Sequence, residues 1–311
     1  MTAVGVDVGG TRIKCGLVGE AGAILAQQSR PTPDTLAGFR EALREMVAAV
    51  IGPGETPRGI GIGCKGIIDP ATSRVEALPG TLRFLEGLLL SELAPPGFAV
   101  HADNDARAAM AGEMRWGAAR GLGHALLITL GTGVGGAVVA EGRLLRGVGG
   151  VAGHLGHMTI DPEGPDCICG NRGCLETFFS ARAIEAEAFR VVHAGCESAL
   201  TARFHGQPER ITCQAVFEAA ACGDAVALRI RDRAIAALGA ALAGLVHVFD
   251  PEVIILGGQI SEAGHALLVP LAREIHLRTR RLLRREVPLA PQQVADPSGI
   301  AGAAALVFAS L

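Results

Sequence analysis

Two histidines stand three residues apart, at His154 and His157, and three cysteines follow at Cys167, Cys169 and Cys174. One imidazole nitrogen and three thiolates suit a tetrahedral Zn2+. The cysteines crowd into residues 167–174, and three free thiols so close together beside a histidine are the weaker reading. Four protein ligands (His157, Cys167, Cys169, Cys174) leave no open position, so such a zinc is structural, not catalytic. Glu176 comes two residues after the last cysteine. A zinc loop would hold its carboxylate rigidly, which suits a group that grips hydroxyls. A solvated carboxylate is the plain alternative.

Two glycine turns carry a second kind of chemistry. In Asp7-Val8-Gly9-Gly10-Thr11-Arg12-Ile13-Lys14 a bare turn between strands lets backbone N–H groups approach a phosphate. Thr11 and Lys14 add donors, and Asp7 at a strand end suits a water on Mg2+. Gly131-Thr132-Gly133-Val134-Gly135-Gly136 has the same form. Each alone reads equally well as a hairpin turn; two of them favour an ATP clamp. No Walker sequence is present, because no GK[ST] follows either turn. At Asn104-Asp105 the plain reading is an N-cap by Asp105. The functional one is a general base that takes the proton of an attacking hydroxyl, with Asn104 fixing the acceptor.

These residues need a frame. Apolar patterning predicts strands over 2–8 and from Thr11, with the glycines between them. A helix is predicted over 34–51, capped by Asp34, with Leu36, Phe39, Leu43, Met46, Val47 and Val50 on one side. Strands follow at 58–63 and 98–102, and a helix at 105–116. From residue 124 the order strand, glycine turn, strand (137–145) begins again, which hints at internal duplication. Residues 151–178 read as irregular, 180–194 and 212–249 as helical, and 253–258 as a buried strand. A small-residue helix closes the chain.

Composition bounds the rest. The 311 residues are 49% hydrophobic, enough for two ordinary domains or one large one. With one Trp and no Tyr, the core must be built from aliphatic side chains. A net charge of −3 and no basic block argue against nucleic acid. No signal peptide and no run of about 18 apolar residues is read, so the expectation is a cytoplasmic protein without a membrane partner.

Together these segments resemble the ROK family of sugar kinases and sugar-responsive regulators. "DVGGTRIK" and "GTGVGG" look like its phosphate motifs, and "NDARAAMAGE" like its catalytic segment. "GHLGHMTIDPEGPDCICGNRGCLE" looks like its zinc signature, and "VIILGG" like its adenosine motif. The resemblance runs nearly end to end. It implies an α/β, two-lobed, actin-like ATPase fold (ribonuclease H-like) with a structural zinc loop at 157–176. The first lobe would be residues 1–118 plus a C-terminal helix at about 299–311, packed back on it. The second would be 119–298, with a cleft between the lobes. It also implies a homodimer, ATP and Mg2+ as cofactors, and a small-molecule sugar substrate. Asp105 becomes the base, and Gly257 and Gly258 lie against adenosine. Gly9, Gly10, Thr11, Lys14, Gly131, Thr132 and Gly133 surround the phosphates, with Asp7 near Mg2+. Asn104, His154, His157, Glu176 and Gly66 join Asp105 at the sugar. The family's regulators carry an added N-terminal helix-turn-helix, for which the strand starting at residue 2 leaves no room, so a kinase is expected.

Three positions depart from the family pattern. Arg107 replaces an asparagine in the catalytic segment, and phosphate contact or solvent are its two readings. Lys65, in Gly63-Cys64-Lys65-Gly66, replaces a Pro-Gly type of turn and could lie near the sugar, near the moving phosphoryl group, or outward. His154 stands where glucose-type members have glutamate. A neutral imidazole donates as well as accepts, which suits an N-acetyl carbonyl. Gly-His-x-Gly-His resembles the family's N-acetylmannosamine kinases. The expectation is therefore 6-phosphorylation of N-acetylmannosamine, with glucose as the alternative. A packing role for His154 and a non-catalytic sugar-binding regulator are the remaining alternatives, as is an actin- or chaperone-like ATPase, against which the zinc loop and Glu176 argue.

Overall fold

Strand β1 (Thr2–Val8) and strand β2 (Arg12–Gly19) form an antiparallel hairpin around Gly9-Gly10, in register from Thr2–Gly19 to Val8–Ile13. The coordinates are a computed structural model that describes residues 1–69, 71–294 and 299–309. β3 (Ile24–Pro31) pairs with β2 at the sheet edge. Its sequence, ILAQQSRP, shows no apolar alternation, because an edge strand meets solvent and keeps polar side chains. That is why the sequence does not announce it. β4 (Ile60–Cys64) runs parallel to β1, and β7 (Val100–Asn104) parallel to β4. Both lie two residues later at their starts than patterning predicts. β5 (Ile67–Ile68) and β6 (Val75–Ala77) make a small separate ribbon.

Helix α1 (Leu36–Val50) covers one face of this sheet through Phe39, Leu43, Met46, Val47 and Val50. Thr35, not Asp34, caps it: its hydroxyl accepts from the Gly38 N–H. The other face takes α8 (Ile300–Phe308), buried along its whole length. The seat is cut from glycine. A Cβ on Gly5 would stand 1.9 Å from the Ile300 carbonyl oxygen, and one on Gly61 1.8 Å from that of Ala303. Only bare α-carbons let a helix backbone approach a sheet this closely. α2 (Asp105–Trp116) packs beside α8. Residues 310 and 311 of the expected closing helix lie outside the described residues.

The second sheet contains β8 (Ala125–Leu130), β9 (Val134–Ala140), β10 (Arg143–Leu144), β11 (Val253–Gly257) and β12 (Leu289–Pro291). Its order, β10-β9-β8-β11-β12, repeats the order β3-β2-β1-β4-β7 of the first. The repeated strand–glycine–strand pattern thus marks two sheets of one topology. β9 begins at Val134, inside the glycine motif, and turns into β10 at Glu141-Gly142, both at positive φ. Helix α3 (Ala181–His193) is followed by α4 (Ala199–Phe204), α5 (Cys213–Ala221), α6 (Ala225–Phe249) and α7 (His265–Thr279). The segment expected as one helix over 212–249 breaks at Gly223, with φ +86°, and restarts on the Asp224 cap. α6 has the length and mean hydropathy of a membrane span, but Arg229, Arg231, Asp232 and Arg233 interrupt its apolar run. It packs beside α5 and α7 with most of its large apolar side chains buried, as in a core helix, though Val248 is exposed.

The chain divides into two compact units. One holds 1–125, 137–153 and 292–311, the other 126–136 and 154–291. The first thus takes 119–125, 137–153 and 292–298 beyond the expected limit at residue 118.

Candidate active site

In the first unit the parallel pairing sets Val8, Cys64 and Asn104 side by side in one row across β1, β4 and β7. The residues that follow are Gly9, Lys65 and Asp105. Three sequence motifs therefore leave the sheet at the carboxyl ends of neighbouring parallel strands, where α/β sheets bind ligands. Gly9 closes its own turn by donating its N–H to the Arg12 carbonyl at 3.0 Å. Thr32 ties the turn down through a 2.8 Å hydroxyl bond to the Gly9 carbonyl. Gly10 and Thr11 are exposed. Asp7 and Lys14 are cross-strand partners, with Nζ 3.7 Å from Oδ2.

At the β7–α2 junction Asn104 is the N-cap, not Asp105. Its Oδ1 accepts from the N–H groups of Ala106 and Arg107 at 3.0 and 3.3 Å. Its Nδ2 donates to the Gly66 carbonyl at 3.0 Å. Gly66 therefore acts on Asn104. Asp105 is the first residue of the helix and is exposed. A carboxylate there is favoured by the helix N-terminus.

Arg107 meets neither phosphate nor solvent; it is fully buried. Its Nε donates to Asp103 at 2.5 Å, its Nη1 to the carbonyls of Gly150 and Ala152 at 2.7 and 2.9 Å, and its Nη2 to Ile68 at 3.4 Å. Asp103, also buried, takes Arg146 on its other oxygen at 2.8 Å. Asp103 and Arg146 escaped the sequence reading. The four-residue spacing of Asp103 and Arg107 was the available signal.

In the second unit, Glu176 lies against the second glycine turn. Its Oε2 accepts from the Val134 N–H at 2.9 Å, and a Cβ on Gly133 would meet that oxygen at 2.3 Å. The Gly131 N–H is also used within the turn, on the Gly133 carbonyl. Glu176 thus braces the turn, a role its sequence position does not suggest. At the end of β11, Gly258 (φ +81°) packs on β8, where a Cβ would meet the Leu130 carbonyl oxygen at 2.4 Å. That packing requires a glycine whatever the ligand. His154 opens a short 3-10 turn, Leu155–His157, and the two imidazoles lie nearly parallel, centroids 6.5 Å apart.

The side chains of His157, Cys167, Cys169 and Cys174 converge as the spacing predicts. Their ligand atoms all lie within 4.8 Å of one another. Cys167 Sγ is 3.6 Å from His157 Nδ1, and Cys169 Sγ is 3.7 Å from Cys174 Sγ. Four ligands about 2.3 Å from a tetrahedral Zn2+ stand about 3.8 Å apart, so the set fits that ion. Burial and the two neighbouring thiols push the Cys174 thiol up to about 12; a cation reverses that by binding thiolate. Gly173 lets the loop close, since a Cβ there would fall 1.6 Å from the Asp161 carbonyl oxygen.

The model of the ROK family matches residues 3–310. The chain belongs to the ROK family. It is 39% identical to a glucokinase of Thermotoga maritima over 98% of this chain and 96% of that one. It is 33% identical to an N-acetylmannosamine kinase of Escherichia fergusonii over 86% of this chain and 87% of that one. Among solved structures, a ROK family glucokinase from Streptomyces griseus, in complex with glucose and AMPPNP, superposes with a TM-score of 0.83. The identity there is 34%, covering 98% of this chain and 99% of that one. The ROK fold, with its mixed α/β sheets, is thus the fold of this chain, consistent with an actin-like ATPase.

Proposed function

We propose that this ROK protein is an ATP-dependent sugar kinase that phosphorylates the C6 hydroxyl of a hexose or N-acetylhexosamine. The β7–α2 junction carries the reading. Asn104 takes over the cap and is tied to Gly66, so the exposed Asp105 carboxylate is not needed to start the helix. Asp105 accepts the proton of the C6 hydroxyl as that oxygen attacks the terminal phosphorus of ATP. The second N–H of Asn104 orients the hydroxyl. The exposed Gly10 and Thr11, with Lys14, Thr132 and Gly133, hold the phosphates, and Gly257 and Gly258 lie against adenosine. Mg2+, when bound near Asp7, neutralises phosphate charge.

The sugar has two candidates, each with its own support. His154 in place of glutamate supports N-acetylmannosamine, because an imidazole N–H donates to an acetyl carbonyl. The 39% identity to a glucokinase, against 33% to an N-acetylmannosamine kinase, supports glucose at least as well. ADP release with ATP and Mg2+ over N-acetylmannosamine, glucose, N-acetylglucosamine, mannose, allose and fructose separates them. A preference for N-acetylmannosamine is expected to move toward glucose by about tenfold in kcat/KM in His154→Glu, the size of one lost or gained hydrogen bond. A wild-type preference for glucose rejects the acetyl-reader role. Sugar binding without turnover across the panel rejects the kinase.

A structural Zn2+ on His157, Cys167, Cys169 and Cys174 completes the proposal. Protein purified without added metal is expected to contain about one zinc per chain. Elemental analysis showing folded protein with no zinc refutes the assignment.

A further inference from the structure

We propose that Lys65 is a further catalytic residue, whose ammonium holds the transferring phosphoryl group between the first glycine turn and Asp105. The inference rests on the kinase reading of those two elements. It comes from the row of strand ends. Val8, Cys64 and Asn104 are in register on adjacent parallel strands. The residue after each is Gly9, Lys65 and Asp105 respectively. Lys65 therefore leaves the sheet from the middle strand, with the phosphate turn on one side and the base on the other. A phosphoryl group that moves from the turn to a hydroxyl at Asp105 passes over that middle position.

The side chain points the same way. Lys65 Nζ donates to Thr81 Oγ1 at 2.6 Å and to the Pro79 carbonyl at 3.5 Å. A methyl on Gly10 would stand 2.7 Å from Thr81 Oγ1 and 3.9 Å from Nζ. The ammonium is thus held where a side chain at the exposed tip of the turn would touch it. The buried Cys64 thiol, pushed up first by burial, is pushed further by the charges of Asp105 and Asp7 and drawn back by Lys65. All three charges therefore act on one small region. Two carboxylates beside a triphosphate repel it, and a cation between them offsets that repulsion. Charge on the equatorial oxygens in the transition state is what a positioned ammonium stabilises. A lysine is a compact charge with three donors, so bonds to Thr81 and Pro79 are compatible with one to phosphate.

The competing role is a tether for residues 79–81. Full-length wild type, Lys65→Met, Lys65→Arg and Thr81→Val separate the two. Steady-state turnover is read with glucose and N-acetylmannosamine, and calorimetry with Mg2+-AMPPNP and Mg2+-ADP. Lys65→Met is expected to lose about 100-fold in kcat, the scale of one lost transition-state donor. AMPPNP binding should weaken about tenfold or more and ADP binding by less than about threefold, since only AMPPNP has a third phosphoryl group. Lys65→Arg should recover part of the loss, and Thr81→Val should stay within about threefold of wild-type kcat. Equal weakening of both nucleotides overturns the assignment. So does Thr81→Val losing as much as Lys65→Met, or Lys65→Met turning over normally. Wild type that turns over no sugar ends the kinase reading, and the AMPPNP-to-ADP contrast still decides Lys65. Wild type that binds no AMPPNP ends both.

Discussion

Asp105→Asn is expected to lower kcat by about 10^3-fold while sugar affinity stays within about threefold of wild type. The size follows from removing a general base whose proton acceptance belongs to the transition state alone. The fold should not suffer. Asn104 makes the cap bonds to the Ala106 and Arg107 N–H groups, and those survive the change. What is lost structurally is one carboxylate at a helix N-terminus, about 0.3–1 kcal/mol. Steady-state kinetics, sugar titration by calorimetry and thermal melting report the three quantities. Turnover within tenfold of wild type would remove Asp105 from the mechanism.

Arg107→Met is expected to cost about 3–5 kcal/mol of stability, the range for breaking a buried ion pair from one side. Asp103 would keep Arg146 and the Asn104 N–H, but the carbonyls of Ile68, Gly150 and Ala152 would lose their donor. Arg107→Lys should recover only part, because one ammonium cannot span four acceptors set for a planar guanidinium. Arg146→Ala should cost no more than about 1 kcal/mol, since that side chain is 41% exposed and its pair is screened. Urea midpoints at constant slope give the comparison. An Arg107→Met protein within about 1 kcal/mol of wild type would show that the buried network adds nothing. Activity is expected to fall as well. Arg107 links the strand end that carries Asn104 to the carbonyls of residues 150 and 152, and residue 152 stands two before His154.

The chemistry of this protein was legible in residue types and short spacings. Three cysteines and a histidine within one loop leave few alternatives to a metal site, because thiols cluster for little else outside a disulfide framework. Glycine turns between apolar runs announce hairpins, since only turns tolerate such letters between strands. The face of α1 was legible too, its five buried residues having been predicted from helical spacing. Where patterning failed, a reason can be named. β3 shows no alternation because it is an edge, and β9 hid three of its residues inside a glycine motif read as a turn. The Asp105 cap was misplaced by one residue because Asn and Asp are equally good caps; only the bond from Asn104 to Gly66 across 38 positions decides between them.

Tertiary structure decided what each functional residue touches. Arg107 looks like a surface or phosphate-binding arginine in sequence, and becomes a buried clamp only once residues 68, 150 and 152 reach it. Glu176 reads in sequence as a group that grips hydroxyls, and the fold adds a bond from the Val134 N–H to one of its oxygens. Lys65 looks like a departure in a loop and is found beside Gly10. The sequence by itself determined the kinds of chemistry available, because composition and local spacing limit which groups can act together. Which backbone carbonyl or charge each long side chain meets was decided by parallel register and long-range packing. Those depend on residues tens of positions away, and no local pattern encodes them.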